Sequence, residues 1–488
     1  MMVSIIGTKR LIILLMITGL CSRVFSQDVI TKYFVGIELN GVLCGYSEVM
    51  INNNAEKNIT ELKQHTYMSF RALGSDISQK QIFNYRINPE SGNFTYHDSY
   101  MEQGPNKQSA SMFLKDDTIH IVEPSGEEIE KVFIPENTIL PNTMLYTHLA
   151  EDFGSGNAES KTYRIFNVRN GKVQDFKYTR LGYEDLALGN KKYNAVIVSE
   201  SDPDTGIKTT YWIDRDSGIR LQMETQTNFR MYLTDFSVAS RVKTGSWDDV
   251  IFVKTNKYIE DIRGITSMSV KTSLQAIPGP SMKDLNVNGQ VFEGEIKENT
   301  VNGVFRINHK KYNGEYSPSI ESYRDVGDEM TPYMLPGEMI ESDDPVIGEL
   351  AFSIRGGETD AWETVKKLSE WIIVNIDGSI YGGSAKETLE RGNGACGSQS
   401  LLMAALCRAS GIPARVVWGC MYTHFEGGSF GHHGWNEVYM GKDGWIPVDV
   451  TSHEAGYVDS GHVRLGELKT KVTVINFEEM RIEDFTVR

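Results

Sequence analysis

Three residue types that together can cleave an amide occur in order near the end of the chain: Cys396, His433 and Asp449. A thiol to attack, an imidazole to move protons and a carboxylate to orient the ring make a nucleophile–base–orienter series. A lone cysteine is by default a small apolar core residue, so its setting has to decide. Cys396 follows the glycine-punctuated turn Glu390-Arg-Gly-Asn-Gly-Ala and opens an apolar segment. There Leu402, Ala405, Leu406 and Ala409 recur at helical spacing. In the first turn of such a buried helix the sulfur faces unpaired N–H groups and the positive end of the macrodipole, and both favour the thiolate. Ser410-Gly411 reads as the helix stop, with Pro413 beyond it.

The other two residues need strands to hold them. Gly431–Met440 alternates as a strand and carries both His432 and His433. Adjacent strand residues point to opposite faces, so only one ring can meet Cys396. Asp449 lies in a second short strand, Gly444–Thr451, after Trp445-Ile-Pro-Val, which implies burial. A buried carboxylate without a partner is costly, so a partner is implied. Upstream, Asp360-Ala-Trp-Glu363 reads as a helix start with a carboxylate at both capping-box positions. Ala361, Val365, Leu368 and Ile372 then trace an apolar face that suits packing beside the Cys396 helix. Gly382-Gly383 and Ser384–Arg391 lead into the turn before Cys396.

Taken together, Glu387-Thr-Leu389 before a Gly-Xaa-Cys turn, Gly411-Ile-Pro-Ala-Arg415, His433-Gly-Trp435-Asn-Glu437-Val and Trp445-Ile-Pro-Val-Asp449 resemble the transglutaminase-like superfamily of papain-fold cysteine enzymes. The resemblance is confined to the C-terminal third. It implies a thioester mechanism on glutamine side chains or peptide bonds, with Cys396 as nucleophile, His433 as acid/base and Asp449 orienting the ring. It places the base two residues before Trp435, which selects His433 over His432. Trp435 is read as packing beside that ring, and Arg415 and Glu437 as structural partners. The backbone N–H of Cys396 is the natural oxyanion donor. Ala395 stands where relatives often carry an acid, which leaves substrate preference open.

The chain has 488 residues, 40% apolar and 23% charged, which implies two to four domains with real cores. A formal net charge of −16 argues against a nucleic-acid partner. Residues 1–26 read as a signal peptide: Lys9-Arg10, the apolar Leu11–Leu20 and a cleavage site at Val24-Phe-Ser26. Export, periplasmic or secreted, is the expectation. Cys21 also invites a lipoprotein reading, which Leu20 before it weakens. No later stretch is long and apolar enough to span a membrane. With Cys21 removed and Cys396 free, Cys407 and Cys420 either pair or pack in the core, the reading favouring the core, and Cys44 stays a buried singleton. No metal or cofactor is expected: there is no CxxC pair, the adjacent histidines diverge, and no acidic loop suits calcium.

The fold expectation is multidomain: β-rich antiparallel N-terminal domains followed by an α+β transglutaminase-like (papain-like) domain. Residues 27–245 form the first β-rich domain. A second, sandwich-like one with a linker spans 246–345, and the catalytic domain spans 346–488. Hairpins are read at Asn40-Gly41 and Asn170-Gly171, and turns at Asp204-Thr-Gly206, Asp216-Ser-Gly218, Asn288-Gly289, Asn302-Gly303 and Asn313-Gly314. Asn58 and Asn93 match glycosylation acceptors. The run Tyr211–Leu221 is similar to exported half-barrel sheets that bind lipids or lipoproteins, a short likeness that assigns no function. The partner expected is a protein or peptide substrate. Glycines at 394, 397, 427, 428, 431 and 434 suit a narrow groove for an extended chain, and Glu426 is a thin candidate for an amine contact. Hydrolysis or deamidation is therefore favoured over cross-linking. The rival reading is a non-catalytic envelope binding or assembly protein that keeps the fold.

Overall fold

The computed structural model describes residues 30–488 apart from 55, 73–74, 104–105, 127, 141–144, 157, 169–170, 204–206, 227, 381 and 469–472. The leader at 1–26 with Cys21, Asn170 and the 204–206 turn lie outside the described residues. The chain forms two compact units that divide between Asp248 and Asp249.

The first unit is one 15-stranded sheet. Antiparallel hairpins run outward from Ile30–Leu39 to Glu128–Phe133. After the helix Leu145–Gly154 a second meander runs from Ser160–Asn167 back to Phe229–Thr234, which pairs with the first strand. Asn40 and Gly41 have φ of 50° and 75°, the two positive values that a tight hairpin matching strand twist requires. Along Ile59–Ala72 every second residue from Thr60 on is buried, the period of a sheet with one covered face. Val49, Leu62, Phe83, Tyr85, Phe94, Ile119 and Phe166 form the core on that face.

The second unit holds two antiparallel sheets and four principal helices. Its five-stranded sheet runs Phe252–Lys254, Ser429–Tyr439, Ala414–Thr423, His462–Glu467, with Trp445–Val448 also paired to Ser429–Tyr439. The other sheet runs Gln290–Lys297, Thr300–Ile307, Ile265–Ile277, Val474–Val487. Val270, Leu274, Phe292 and Phe305 of the latter share a core with Trp418, Cys420, Tyr422 and Phe430 of the former. Helices Pro345–Arg355, Ala361–Asn375, Ala385–Arg391 and Cys396–Ala409 build a second core with Val416, Val438 and Val448. The β-rich N-terminal part and the α+β C-terminal part match the sequence expectation.

The stretch 246–345 is not separated from the C-terminal region. Its central strand Ile265–Ile277 takes Val474–Val487 as a neighbour, so the sheet closes only with the end of the chain. The sandwich it enters is made with the sheet of the C-terminal region rather than within itself. Nor is the end of that stretch, 320–345, where a linker is expected, a free segment. Two 3-10 helices, Ile320–Asp325 and Asp328–Tyr333, lie in it, and buried Tyr323 donates its hydroxyl to the Tyr439 carbonyl. Asn302-Gly303 is no turn. Gly303 pairs with Gly294 inside a ladder, where an added Cβ would lie 2.4 Å from the Glu293 carbonyl. The turn falls at Glu298-Asn299, with Glu298 at φ 53°. The pair of letters signals a need for glycine, and close strand approach is a second such need.

Candidate active site

Local chemistry starts the helices where the sequence places them. Asp360 accepts from the Glu363 N–H at 2.9 Å, an N-cap that contributes about 1 kcal/mol. Ala361, Val365, Leu368 and Ile372 are fully buried. Ser384 and Glu387 close a reciprocal capping box, and Gly392 ends that short helix in the left-handed conformation. The chain then turns through Asn393-Gly394 into the helix Cys396–Ala409. Gln399 Nε2 donates to the Gly394 carbonyl at 3.0 Å and ties this turn to the helix it precedes. Ala395 is the N-cap and supplies no side-chain acceptor. The first N–H groups of the helix thus keep their polarity for whatever charge forms at Cys396.

Strand Ser429–Tyr439 receives this helix at a break in its pairing. On one edge Phe252–Lys254 covers 429–431 and Trp445–Val448 covers 436–439. Between them, among the described strands, 432–435 is paired only on the opposite edge, to Ala414–Thr423. The helix N-terminus fills the break. The Gly434 N–H lies on the Cys396 side and helps lower its thiol pKa, and the Gly434 carbonyl accepts from Ser400 Oγ at 3.1 Å. Asn436 Nδ2 donates to the Ser400 carbonyl at 2.8 Å.

The structure brings Cys396, His433 and Asp449 together. The His433 ring faces the half-buried Cys396, close enough for each to shift the other's proton affinity, and its Nε2 lies 2.8 Å from Asp449 Oδ2. Trp435 stacks beside it, ring centroids 6.0 Å apart at 16°. His432 points to the other face, its Nε2 3.3 Å from Thr473 Oγ1, and burial lowers its pKa to about 4. Cys407 and Cys420 are free and lie in different cores. Arg415 and Arg464 both bind Glu437, at 2.7 and 3.0 Å, and Arg415 also binds Glu467.

Charges at the site reinforce one another. Burial pushes the Cys396 thiol up, but the charge and hydrogen bond of His433 and the Gly434 N–H outweigh it, leaving the thiol below its ordinary range. Burial pushes His433 down, while Asp449 and then Cys396 raise it to about 9. Asp449 is raised by burial and lowered further by His433 and His462, ending well below the carboxylate range. By contrast, burial raises Cys44 to about 11 and Cys407 to about 12. The arrangement favours a thiolate beside an imidazolium.

The sequence did not reveal how Asp449 is held. Its Oδ1 accepts from Thr451 N, Thr451 Oγ1 and Ser452 N at 3.0, 2.7 and 3.3 Å. Its Oδ2 also meets His462 Nε2 at 3.1 Å. Thr451 was legible as an Asx-type neighbour two residues on. Nothing in the spacing marks His462, because it arrives through a loop that folds back between Asp449 and itself. Ligand atoms of His433, Asp449 and His462, and those of Glu454, Asp459 and His462, lie within 4.8 Å of one another. Separations of 2.8 and 3.1 Å between the two Nε2 atoms and Oδ2 are those of direct hydrogen bonds.

Residues 348–450 match the family model of the transglutaminase-like superfamily. An uncharacterized protein of Haemophilus influenzae is 26% identical over 214 residues, 38% of this chain and 53% of that protein, so the chain spans about half of that relative. Solved structures with similarity include a candidate cysteine protease from Cytophaga hutchinsonii, 17% identical, covering 49% of this chain and 92% of that one at a TM-score of 0.33. A candidate protease from Parabacteroides distasonis is 12% identical, covering 80% and 69%, at a TM-score of 0.18. Residues 348–450 are thus similar to the transglutaminase-like superfamily. Among the described residues no helix is long and apolar enough to cross a membrane.

Proposed function

We propose that this protein is an exported cysteine enzyme that hydrolyses amide bonds of proteins or peptides, with Cys396, His433 and Asp449 as its catalytic series. The observation that carries the reading is the convergence itself: the Cys396 sulfur beside the His433 imidazole, and that imidazole hydrogen-bonded to a buried carboxylate saturated by donors. Folding alone does not require a nucleophile, a base and an ionised acid to converge.

In this reading the Cys396 thiolate attacks the carbonyl carbon. A C–S bond forms, and the oxyanion is met by the N–H of Cys396 at the uncapped helix start. As the C–N bond breaks, His433 gives its proton to the departing amine, leaving a thioester. His433 then takes a proton from water as the hydroxyl adds to the thioester carbon, and the thiolate leaves. Asp449 keeps the ring oriented and stabilises its charged form.

Water is the favoured acceptor. An amine has to compete with water at about 55 M, which needs a site that holds it against the thioester. Glu426, the one nearby acid singled out, sits exposed in a tight turn at φ 51°. Export rests on residues 1–26 of the sequence.

The test is incubation of wild type and Cys396→Ala with a glutamine-bearing protein, with and without a tagged primary amine. Cleavage or deamidation by wild type alone is expected, with little tag bound. Robust Cys396-dependent tag incorporation would make the protein a cross-linking enzyme. Failure of every reaction would favour a binding protein.

A further inference from the structure

We propose that His462 is a positioning residue of this site: a second buried imidazole, cationic, that shares one oxygen of Asp449 with His433 and so sets how strongly His433 holds its proton. The inference rests on the proposed catalytic role of Cys396 and His433. It concerns a residue that neither the sequence motifs nor the family resemblance singles out.

The hydrogen bonds of His462 give it its charge. The residue is fully buried. Nε2 lies 3.1 Å from Asp449 Oδ2, and Nδ1 lies 3.2 Å from the Asp459 carbonyl and 3.6 Å from Asp459 Oδ2. Asp449 is itself ionised, since Oδ1 takes three donors and Oδ2 faces two ring nitrogens. Carboxylate and carbonyl oxygens only accept, so both nitrogens of His462 must donate, and an imidazole with two N–H groups is an imidazolium. Burial opposes that charge, and Asp459 followed by Asp449 reverses the effect, holding the ring well above its ordinary value.

Every group packed around it fits this role. The Trp435 ring stands edge-on at 5.3 Å and the His433 ring at 5.5 Å, keeping water from the shared carboxylate. Asp459 is fixed by its own Oδ1 accepting from the Gly461 N–H at 2.6 Å, and its N–H donates to Glu454 Oε2 at 3.0 Å. Glu454 is tied to Asp449 by a two-way backbone bridge. His309 is a further titratable neighbour, and Tyr457 lies near Asp459 and Glu454. His309 shares the Asp459 carbonyl at 3.2 Å, and burial, then the charge of His462, lowers its pKa. The result is an alternating row: His433 cation, Asp449 anion, His462 cation, Asp459 anion.

Such a row has a consequence that a packing role lacks. A carboxylate divided between two cations stabilises each less than it would stabilise one. His462 thereby keeps the His433 proton transferable to a leaving amine. Removing its positive charge raises the proton affinity of both Cys396 and His433. Removing the negative charge of Asp459 lowers both.

The experiment measures the iodoacetamide alkylation rate of Cys396 against pH in the full chain, for wild type, His462→Gln and Asp459→Asn. Gln keeps a donor for Asp449, and Asn keeps an acceptor for Gly461. The expected wild-type profile has a low-pH step and a second step near 9. In His462→Gln both steps move up by about one pH unit, a roughly tenfold slower rate on the acid flank. In Asp459→Asn they move down. Should His462→Gln fail to fold, the direction in Asp459→Asn decides. Steps unmoved in the folded variants, or moved the same way in both, would overturn the role of His462 alone. A wild-type profile without the low-pH step would overturn the catalytic reading and this proposal with it.

Discussion

Ser400 Oγ donates to the carbonyl of Gly434 at 3.1 Å, fastening the second turn of the helix that opens with Cys396 to the strand that carries His433. The same hydroxyl lies 2.8 Å from the Cys396 carbonyl, and the Ser400 carbonyl takes the Asn436 amide. Helix and strand are thus locked beside His433, at Gly434 and Asn436. The relative position of Cys396 and His433 is a property of this joint as much as of either residue.

Ser400→Ala removes that fastening from a fully buried position. It is expected to destabilise by about 1–2 kcal/mol in urea unfolding, since the Gly434 carbonyl loses its partner. Alkylation of Cys396 should slow at the same time. Slowed alkylation without lost stability would place the effect in the thiolate alone.

The four described cysteines should differ sharply toward iodoacetamide at pH 7. Cys396 is held below its ordinary range, while Cys44 and Cys407 are pushed up to about 11 and 12 by burial, and Cys420 is also raised. Peptide mapping is expected to show Cys396 labelled at least about a hundredfold faster than the others. Equal labelling of all four would mark it as a structural cysteine.

Asp449→Asn keeps the shape of the carboxylate and removes its charge. Loss of turnover on the order of a thousandfold or more is expected, with much smaller change in substrate binding. His433 is held near 9 by Asp449 and Cys396 against burial. Wild-type activity should therefore fall as pH rises through about 9, when the imidazolium is lost. In the variant that alkaline limb moves down, as the pH dependence of residual turnover would show.

Glu454 tests linkage in the opposite sense. Burial raises its pKa from 4.5 to about 8. The folded state then binds a proton that the unfolded state releases between those values. Its contribution to stability is full below about 4.5 and is lost as pH rises through 8. Glu454→Gln still offers an acceptor to the Asp459 N–H and does not titrate. Thermal unfolding at pH 5 and pH 8 should show the variant gaining on wild type over that interval. A constant difference would mean Glu454 is ionised in the fold throughout.

Local signals in the sequence carried much of this protein. The helix with Cys396 at its first position, the Asn40-Gly41 hairpin and the alternation of the N-terminal strands all depend on periods and turn preferences that neighbouring residues impose; alternation requires one of His432 and His433 to face away, and the family resemblance points to His433. Those preferences are short-range, so a single chain displays them. They failed where the demand came from across the fold. Gly303 is a glycine because Gly294 lies against it, and Tyr323 is buried because Tyr439 offers a carbonyl. The stretch 246–345 lacks a boundary because Val474–Val487 returns to its sheet. His462 is the sharpest case. Its letter and spacing are those of any strand histidine. Only the fold-back after Asp449 places it on that carboxylate, where the scarcity of water makes a shared charge matter.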